Sequence, residues 1–546
     1  MLSKSAVICI AALLFLATAC SGSSETASPT NGEADGPFGK YTKPVTLSIG
    51  MGVEPNFKTY TGETPANNPW VDAIKETLNV QIEVDWIVAN QNMAQKTDLA
   101  IASNTLPDAM VVSQFQLNQM IKADELADLT IAYDRYASPV MKSIIDSTEG
   151  TAMEHVTVNG KMVALPSVDS EDISLMWIRQ DWLDRLGLDV PTTMEELEQV
   201  AAAFVHKDPD GNGQADTIGI AVGASLYDDF HSGPGSFNLN PIFSAYNAYP
   251  GFWLKDIYGD PVYGSIQPEM KAVLAKLREL YDEGLIDREM GIRESAAEVV
   301  IDGKAGIFFA PSSGAYWPVP EALKNNPRAN WQAYAVPLDT SGRFNAKIFK
   351  PTKSFIVVRK GYQHPEAVVK VANVILRDEY KYGIDFQPLR NVLAPRDEIA
   401  FSVKALKDVL SGLRAPEDFA DQKEYTLLRN DLATINNTKL PPYDQMDIQY
   451  WDTRHSNFKR AYSLLVGGRN LLDPNLTKVK SAYVSNTATM DSQWRHLLDT
   501  EMEVFSQIIM GAAPLEAFDL WVADWKRQGG SRITTEVKEE MKQRKR

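Results

Sequence analysis

The sequence predicts an α/β protein of two lobes with a helical C-terminal region. Three observations carry that reading. Strand-like and helix-like patterns alternate between residues 45 and 112, they alternate again between 173 and 358, and beyond about residue 400 apolar side chains recur at helical spacing.

Val45-Thr-Leu-Ser-Ile49 alternates apolar and polar side chains, as a half-buried strand does. Asn68 and Pro69 supply a cap and a first-turn proline for a helix whose apolar face is Val71, Ile74 and Leu78. In the next strand Val80, Ile82, Val84, Trp86 and Val88 share one face, and a helix over residues 93–103 and a strand over 109–112 follow. Such alternation builds a mainly parallel sheet joined by right-handed crossovers. Ligands bind these sheets beyond the carboxyl ends of the strands, where Leu106-Pro107-Asp108 and the Ser113-Gln114 turn are expected to lie.

The second set opens with a strand over 173–178. Thr193-Met-Glu-Glu196 is a capping box for a helix carrying Leu197, Val200 and Phe204 on one face. A strand over 217–222, a helix over 268–283 ended by Gly284, strands over 306–309 and 353–358 and a helix over 365–376 complete it. Near the C-terminus, Leu498, Met502, Phe505 and Ile509 form one helical stripe, and Leu515, Phe518, Val522 and Trp525 the next.

The chain has 546 residues, 44% hydrophobic, with a net charge of −17. It can bury more than one core, so a disordered chain or a stapled mini-scaffold is excluded. Its acidity speaks against nucleic acid as a partner, since phosphate binding needs clustered Lys and Arg. Both cysteines, Cys9 and Cys20, fall at the N-terminus, so neither a disulfide framework nor a thiolate zinc site is expected in the body. Lys4 followed by the apolar run 6–16 reads as a signal peptide over 1–19, too short to span a bilayer. Leu16-Ala-Thr-Ala-Cys20 resembles a bacterial lipobox, which implies cleavage before Cys20 and its lipidation, palmitate included. Residues 20–40 then read as the lipidated cysteine and a disordered tether, so the only membrane contact expected is the lipid anchor, on the extracellular face of the cell membrane.

A series of short motifs follows in order along the mature chain: Leu99-Ala-Ile-Ala-Ser103 with Leu106-Pro-Asp108, Gly160-Lys-Met-Val-Ala-Leu-Pro166, Ile178-Arg-Gln-Asp-Trp-Leu-Asp-Arg-Leu-Gly-Leu188, Asp208-Pro-Asp-Gly-Asn-Gly213, Tyr281-Asp-Glu-Gly-Leu-Ile-Asp287 and Asp302-Gly-Lys-Ala-Gly306. In that order they resemble the family 1 extracellular solute-binding proteins, lipoproteins that deliver sugars to ABC importers. Within that family they resemble the LipO-like subgroup related to alginate-oligosaccharide binders. The resemblance implies a periplasmic-binding-protein-like fold of type II, hinge-connected and closing over its ligand. It also implies ABC permease subunits as partners, and a monomer is expected. Lobe 1 is expected over 41–165 plus 345–400, and lobe 2 over 166–344 plus the C-terminal helices.

Asp208, Asp210, Asn212 and Asp216 fall at positions 1, 3, 5 and 9 of an EF-hand-like loop, with Gln214 offering a carbonyl at position 7. Position 12 is Gly219, and the resemblance leads one to expect an acidic residue where Thr217 stands, so the ligand set is one short. A structural Ca2+ is expected there, with a surface turn as the alternative. Sugar C–H faces stack on aromatic rings, and the candidates for ligand contact are Trp177 with Arg179, Trp253, Tyr316 with Trp317, Tyr450 with Trp451, and Asp108 as an acceptor. Trp182, Trp494, Trp521 and Trp525 fall at core spacing. No catalytic motif is present and no enzyme is expected. The alternatives are a peptide-binding or sensory lipoprotein on the same clamp, or a lipid-anchored polysaccharide hydrolase whose two carboxylates meet only in the fold. The net negative charge makes a neutral sugar the expected ligand ahead of a polyuronide.

Overall fold

The chain enters its first lobe through residues 35–40, the end of the expected tether. A computed structural model, describing residues 35–53, 63–293, 295–384, 386–437, 446–455 and 457–544, docks them on the body. Asn373 Nδ2 donates to the Pro37 carbonyl at 3.2 Å, Lys370 donates to that of Gly39 at 3.2 Å, and the Arg377 guanidinium lies 4.8 Å over the Phe38 ring. Residues 1–19, Cys20 and tether residues 21–34 lie outside the described residues.

Strand β1 (Val45–Val53) is followed by α1 (Pro69–Leu78), whose Asn68 cap accepts from the amides of Trp70 at 2.9 Å and Val71 at 3.2 Å. Then come β2 (Val80–Ala89), α2 (Met93–Ala102), β3 (Ala109–Ser113) and α3 (Gln114–Lys122), and short helices lead to β4 (Leu165–Pro166). The chain crosses into the second lobe, which holds β5 (Leu175–Arg179), β6 (Ile218–Ala221), β7 (Ala305–Ala310), β8 (Trp331–Tyr334) and β9 (Phe344–Ile348). It returns to the first lobe for β10 (Ser354–Val358) and α4 (Pro365–Tyr382), and crosses a third time to α5 (Glu398–Leu410) and α6 (Leu428–Asn437). Strand β11 (Leu476–Lys480) and helices α7 (Ala488–Ile509) and α8 (Ala517–Trp525) follow in the second lobe.

The first lobe is built on a five-stranded sheet of order β2-β1-β3-β10-β4, with β10 antiparallel to its neighbours. The β1–β2 register slips between Ile49 and Gly50, which pair with Val84 and Trp86 and leave Asp85 bulged. A Cβ on Gly50 would lie 2.0 Å from the Trp86 ring, so only glycine admits this packing. The second lobe is built on a four-stranded sheet of order β8-β5-β7-β6, buried on both faces. Period-two alternation sends Met176, Ile178, Ile307 and Phe309 into one core and Leu175, Trp177, Phe308 and Ala310 into the other. Helices α7 and α8 complete the first of these cores, while α5 and α6 complete the second.

This packing shifts the lobe boundaries drawn from sequence. Strand β9 pairs in parallel with β11 and belongs to the second lobe, so the return crossing spans 349–353, and α5 also packs in the second lobe. Periodicity marks a strand without saying which sheet it joins.

Candidate ligand-binding cleft

Strand ends decide where the lobes face. Crossings leave lobe 1 from the carboxyl end of β4 and re-enter it at the amino end of β10, and in lobe 2 they meet β5 at its amino end. The carboxyl ends of β1, β2 and β3 therefore look toward those of β6, β7 and β8 across the crossings. The three crossings are bonded side by side. Ser167 N donates to Ser354 O at 2.9 Å and Asp169 N to Pro351 O at 2.8 Å, while Val168 N donates to Val392 O at 2.8 Å and Glu171 N to Arg396 O at 2.7 Å. Arg396 pins all three, donating to the carbonyls of Asp169 at 2.7 Å and Phe349 at 3.2 Å. At the rim, Lys122 of α3 bridges to Asp491 of α7 at 2.9 Å.

Tyr316 and Trp317 lie just past the carboxyl end of β7 and are 42% and 45% exposed. The turn that carries them begins at Ser312, whose amide (3.0 Å) and hydroxyl (2.7 Å) donate to Asp172 of the first crossing. Burial pushes the Asp172 carboxyl up to about 6, and those bonds work against the rise. Trp317 stands edge-on to Phe237, at 5.8 Å and 83°, and Phe237 stacks on Phe308 at 5.2 Å. Phe237 is held at φ +64, pinned by bonds to Phe309 O and from Gly223 N. On the facing rim Phe115, 53% exposed, opens α3. It follows directly on the Ser113-Gln114 turn, the signal from which sequence could have found it.

The other aromatic candidates are core residues. Trp177 is fully buried, stacks on Phe308 at 6.1 Å, and donates Nε1–H to Ala310 O at 3.3 Å and Pro311 O at 3.2 Å. Arg179, 3% exposed, forms a bidentate pair with Asp181 at 2.8 and 2.6 Å over the Trp182 ring. Trp253 is sealed between Tyr263 at 5.2 Å and Trp494 at 6.4 Å. Trp451 is buried against Phe458 and Tyr462, with Tyr450 half-buried beside it. Trp177 and Arg179 lie within β5, and Trp253 and Trp451 follow turns, but these side chains pack inward against other rings, which sequence alone does not show.

Asp108 is also displaced from its expected place. It precedes β3, so it lies at the amino pole of the sheet, away from the crossings. There it accepts from Ser48 N at 2.9 Å and from Arg359 at 2.7 Å, and it borders a polar surface hollow of about 630 Å³ with Asp85, Asp124 and Lys360.

The 208–216 loop precedes β6 and so lies at the far pole of lobe 2. Asp208 accepts from the amides of Gly211 and Asn212 at 3.1 Å and Gly213 at 3.0 Å, and Asn212 Nδ2 bridges Asp210 at 2.9 Å and Asp216 at 3.1 Å. Gln214 N donates to Asn212 Oδ1 at 2.7 Å, and Lys304 lies 3.5 Å from Asp216. Burial together with Asp208 raises the Asp210 carboxyl. Among the described residues no three His, Cys, Asp or Glu side chains are gathered as a metal centre.

A loop at the carboxyl end of β6 completes the lobe 2 rim. Asp228 accepts from Gly235 N at 2.9 Å and from the amides of Asn238 and Asn240 at 2.7 Å. Burial would raise the Asp229 carboxyl, but His231 and Ser232 donate to it and hold it at about 2. His231 in turn meets Asn486, beside Asp491 at the rim.

The model of the bacterial extracellular solute-binding proteins matches residues 70–379. Lipoprotein LipO of Bacillus subtilis is 24% identical over 497 residues, covering 87% of this chain and 89% of LipO. The fructooligosaccharide ABC transporter substrate-binding protein FusA of Streptococcus pneumoniae is 28% identical over 329 residues, 56% of this chain and 57% of FusA. Among solved structures, alginate-binding protein AlgQ2 without calcium ion superposes with a TM-score of 0.61 at 16% identity, covering 92% of this chain and 98% of its own. FusA in complex with kestose gives 0.60 at 16% identity over 92% and 99%. Two hinged α/β lobes joined by crossings, and a family match over more than half of the sequence, place this chain among the bacterial extracellular solute-binding proteins.

Proposed function

We propose that the protein captures an oligosaccharide between its lobes and presents the closed form to the permease of an ABC importer. The observation that carries this reading is the pair of exposed aromatic rims, Phe115 on lobe 1 and Tyr316-Trp317 on lobe 2, on strand ends that face each other across the crossings. Sugars offer flat C–H faces to such rings and hydroxyls to the polar groups between them. Ligand contacts on both lobes select the closed form, and the laterally bonded crossings supply the hinge. The names of FusA and AlgQ2 point to the same ligand class. The reading includes no catalytic step.

The test is calorimetry and thermal shift with oligosaccharides, with product analysis of the same samples. Saturable binding without cleavage is expected. Cleaved product, or stabilisation by peptides alone, overturns the reading.

Two finer points belong to it. Cys20 is the proposed lipid anchor, in keeping with the lipoprotein LipO; Cys20→Ser should release the protein from the membrane and abolish palmitate labelling. The 208–216 loop is the proposed Ca2+ site, supported by four oxygen-bearing side chains within nine positions. The Asn212 amide would turn its oxygen inward, and Asp208, Asp210 and Asp216 would lose their mutual repulsion. It lies far from the cleft, so the cation would act on stability. Chelation should lower Tm by a few degrees, and Asp210→Asn should remove that response.

A further inference from the structure

A cavity of about 950 Å³ lies between the lobes but outside the cleft. Leu376 and Tyr380 of α4 form its lobe 1 wall, Phe419 and Leu432 its lobe 2 wall, and Phe38 of the entering chain lines it as well. Asn430 Nδ2 donates to Tyr380 O at 2.9 Å and joins the two walls. The lobe 1 sheet fixes where this is. In the order β2-β1-β3, right-handed crossovers put α1 and α2 on opposite faces. Helix α4 packs on α1, whereas α3 is bonded to α2, Gln116 Nε2 donating to Ala94 O at 3.2 Å and to Asp98 at 2.8 Å. The cavity therefore lies on the α4 side, and Phe115 and the Lys122–Asp491 bridge lie on the α3 side. Lobe 2 agrees, since Phe419 and Leu432 belong to the core that α5 and α6 complete, and α7, which carries Asp491, belongs to the other.

Two cations border these apolar walls. Lys423 and Arg429 are exposed, and among the described residues neither has an ion-pair partner or a hydrogen-bond acceptor for its charged group. Arg429 lies 5.8 Å over the Tyr380 ring, which leaves its charge unbalanced. Arg377 on the lobe 1 wall is already paired with Asp378. Glu417 is the carboxylate of the lining, so one positive charge remains in excess. An apolar interior edged by one excess positive charge complements an amphiphile with a single negative charge.

Supply points the same way. Phe38 follows closely on residues 20–34, the stretch that leads back to the proposed lipid anchor at Cys20, and 15 residues reach at most about 50 Å. Membrane lipids are therefore within reach of this cavity. We infer that the cavity is a second ligand site, separate from the cleft, which takes an acyl chain with a monoanionic head, the chemistry shared by a free fatty acid and an anionic phospholipid. The membrane as source rests on the Cys20 anchor; the site itself does not. Because the walls belong to different lobes, the occupant touches both and selects the arrangement in which those contacts exist.

Calorimetry on the mature chain with decanoate and decanol, both below their aggregation limits, tests this. Decanoate should bind at one saturable site, at least about tenfold tighter than decanol, the scale of one charge-assisted hydrogen bond. Lys423→Gln combined with Arg429→Gln should erase that difference by weakening the acid alone. Ala433→Trp, at an exposed position of α6 on the cavity wall, should block both ligands while melting as the wild type does. With decanoate bound, hydrogen exchange at the crossing amides of Asp169 and Ala394 should slow. Vesicles of phosphatidylglycerol, set against phosphatidylcholine, distinguish the sources: transfer of the anionic lipid to the chain marks the membrane, binding of decanoate alone marks a free acid, and both support the site. Equal affinity for acid and alcohol, a preference that survives the double variant, undiminished binding in Ala433→Trp, unchanged exchange at the crossings, or no saturable binding overturns the inference and leaves the oligosaccharide reading standing.

Discussion

Trp253 and Trp317 look alike in sequence, each following a turn with Pro or Gly, yet their alanine variants should fail in opposite ways. Trp253 is fully buried among Tyr263, Trp494 and Trp525, with ring centres 5.1 to 6.4 Å apart along that stack. Truncating such a side chain costs about 3–5 kcal/mol from lost transfer energy and the cavity left behind. At about 2 °C per kcal/mol for a body of this size, Tm should fall by roughly 6–10 °C. Oligosaccharide affinity should stay within about twofold, because no atom of the ring reaches the cleft. Trp317 is 45% exposed, and its ring stands edge-on to Phe237. Its removal should cost about 1 kcal/mol of stability or less, while Kd rises by about tenfold or more as the stacking face is lost. Differential scanning fluorimetry and calorimetry on the same preparations read both quantities. If Trp253→Ala melts normally and binds weakly, the core assignment is refuted. If Trp317→Ala melts early and binds normally, the rim is structural and the platform argument fails.

Other perturbations act on single networks. Arg460 donates to Asp431 at 2.8 Å and to Glu398 at 2.6 Å, both buried, so Arg460→Met leaves two carboxylates unpaired and should cost about 3–5 kcal/mol at neutral pH. Burial already raises the Asp431 carboxyl, so that deficit should shrink on acidification, which thermal melts across a pH series would show. Arg396→Ala removes the bonds that pin the crossings and should cost about 1.5–3 kcal/mol, with faster hydrogen exchange at the amides of Asp169, Glu171 and Ala394. Asp229 has a depressed carboxyl, so its stabilisation is present above the unfolded value of about 3.9 and is lost as pH falls through about 2. Near-UV circular dichroism should report the rim loop loosening in that window, and Asp229→Asn should show the loosened signal already at neutral pH.

Much of the fold is legible because local rules and tertiary packing agree. Asn68 caps α1 and Thr193 forms its capping box with Glu196 as the residue types require, and those contacts are complete within a few residues. Alternation in β1 and β2 and the apolar run of β7 likewise mark strands, since side-chain direction follows from backbone geometry alone. The position of Tyr316 and Trp317 just past a strand was legible too, and both are exposed there.

What the chain alone could not decide is which way a strand runs into its sheet and what lies opposite a side chain. Asp108 looks like a strand-end acceptor, yet β3 points its other end at the cleft, and the carboxylate is used by Arg359. Trp177 and Arg179 lie in a strand covered on both faces, so even a tryptophan and an arginine are buried. Lys347 is in sequence a lysine like any other, yet it is buried and donates to Asn240 Oδ1 and the Pro250 carbonyl, acceptors supplied from far away in the chain. Composition and periodicity by themselves determined the class, two α/β lobes and a helical C-terminus, because those depend on each residue's own preferences. The cleft was decided only by tertiary structure, because a binding site is made of groups whose partners are supplied by segments far away in the chain.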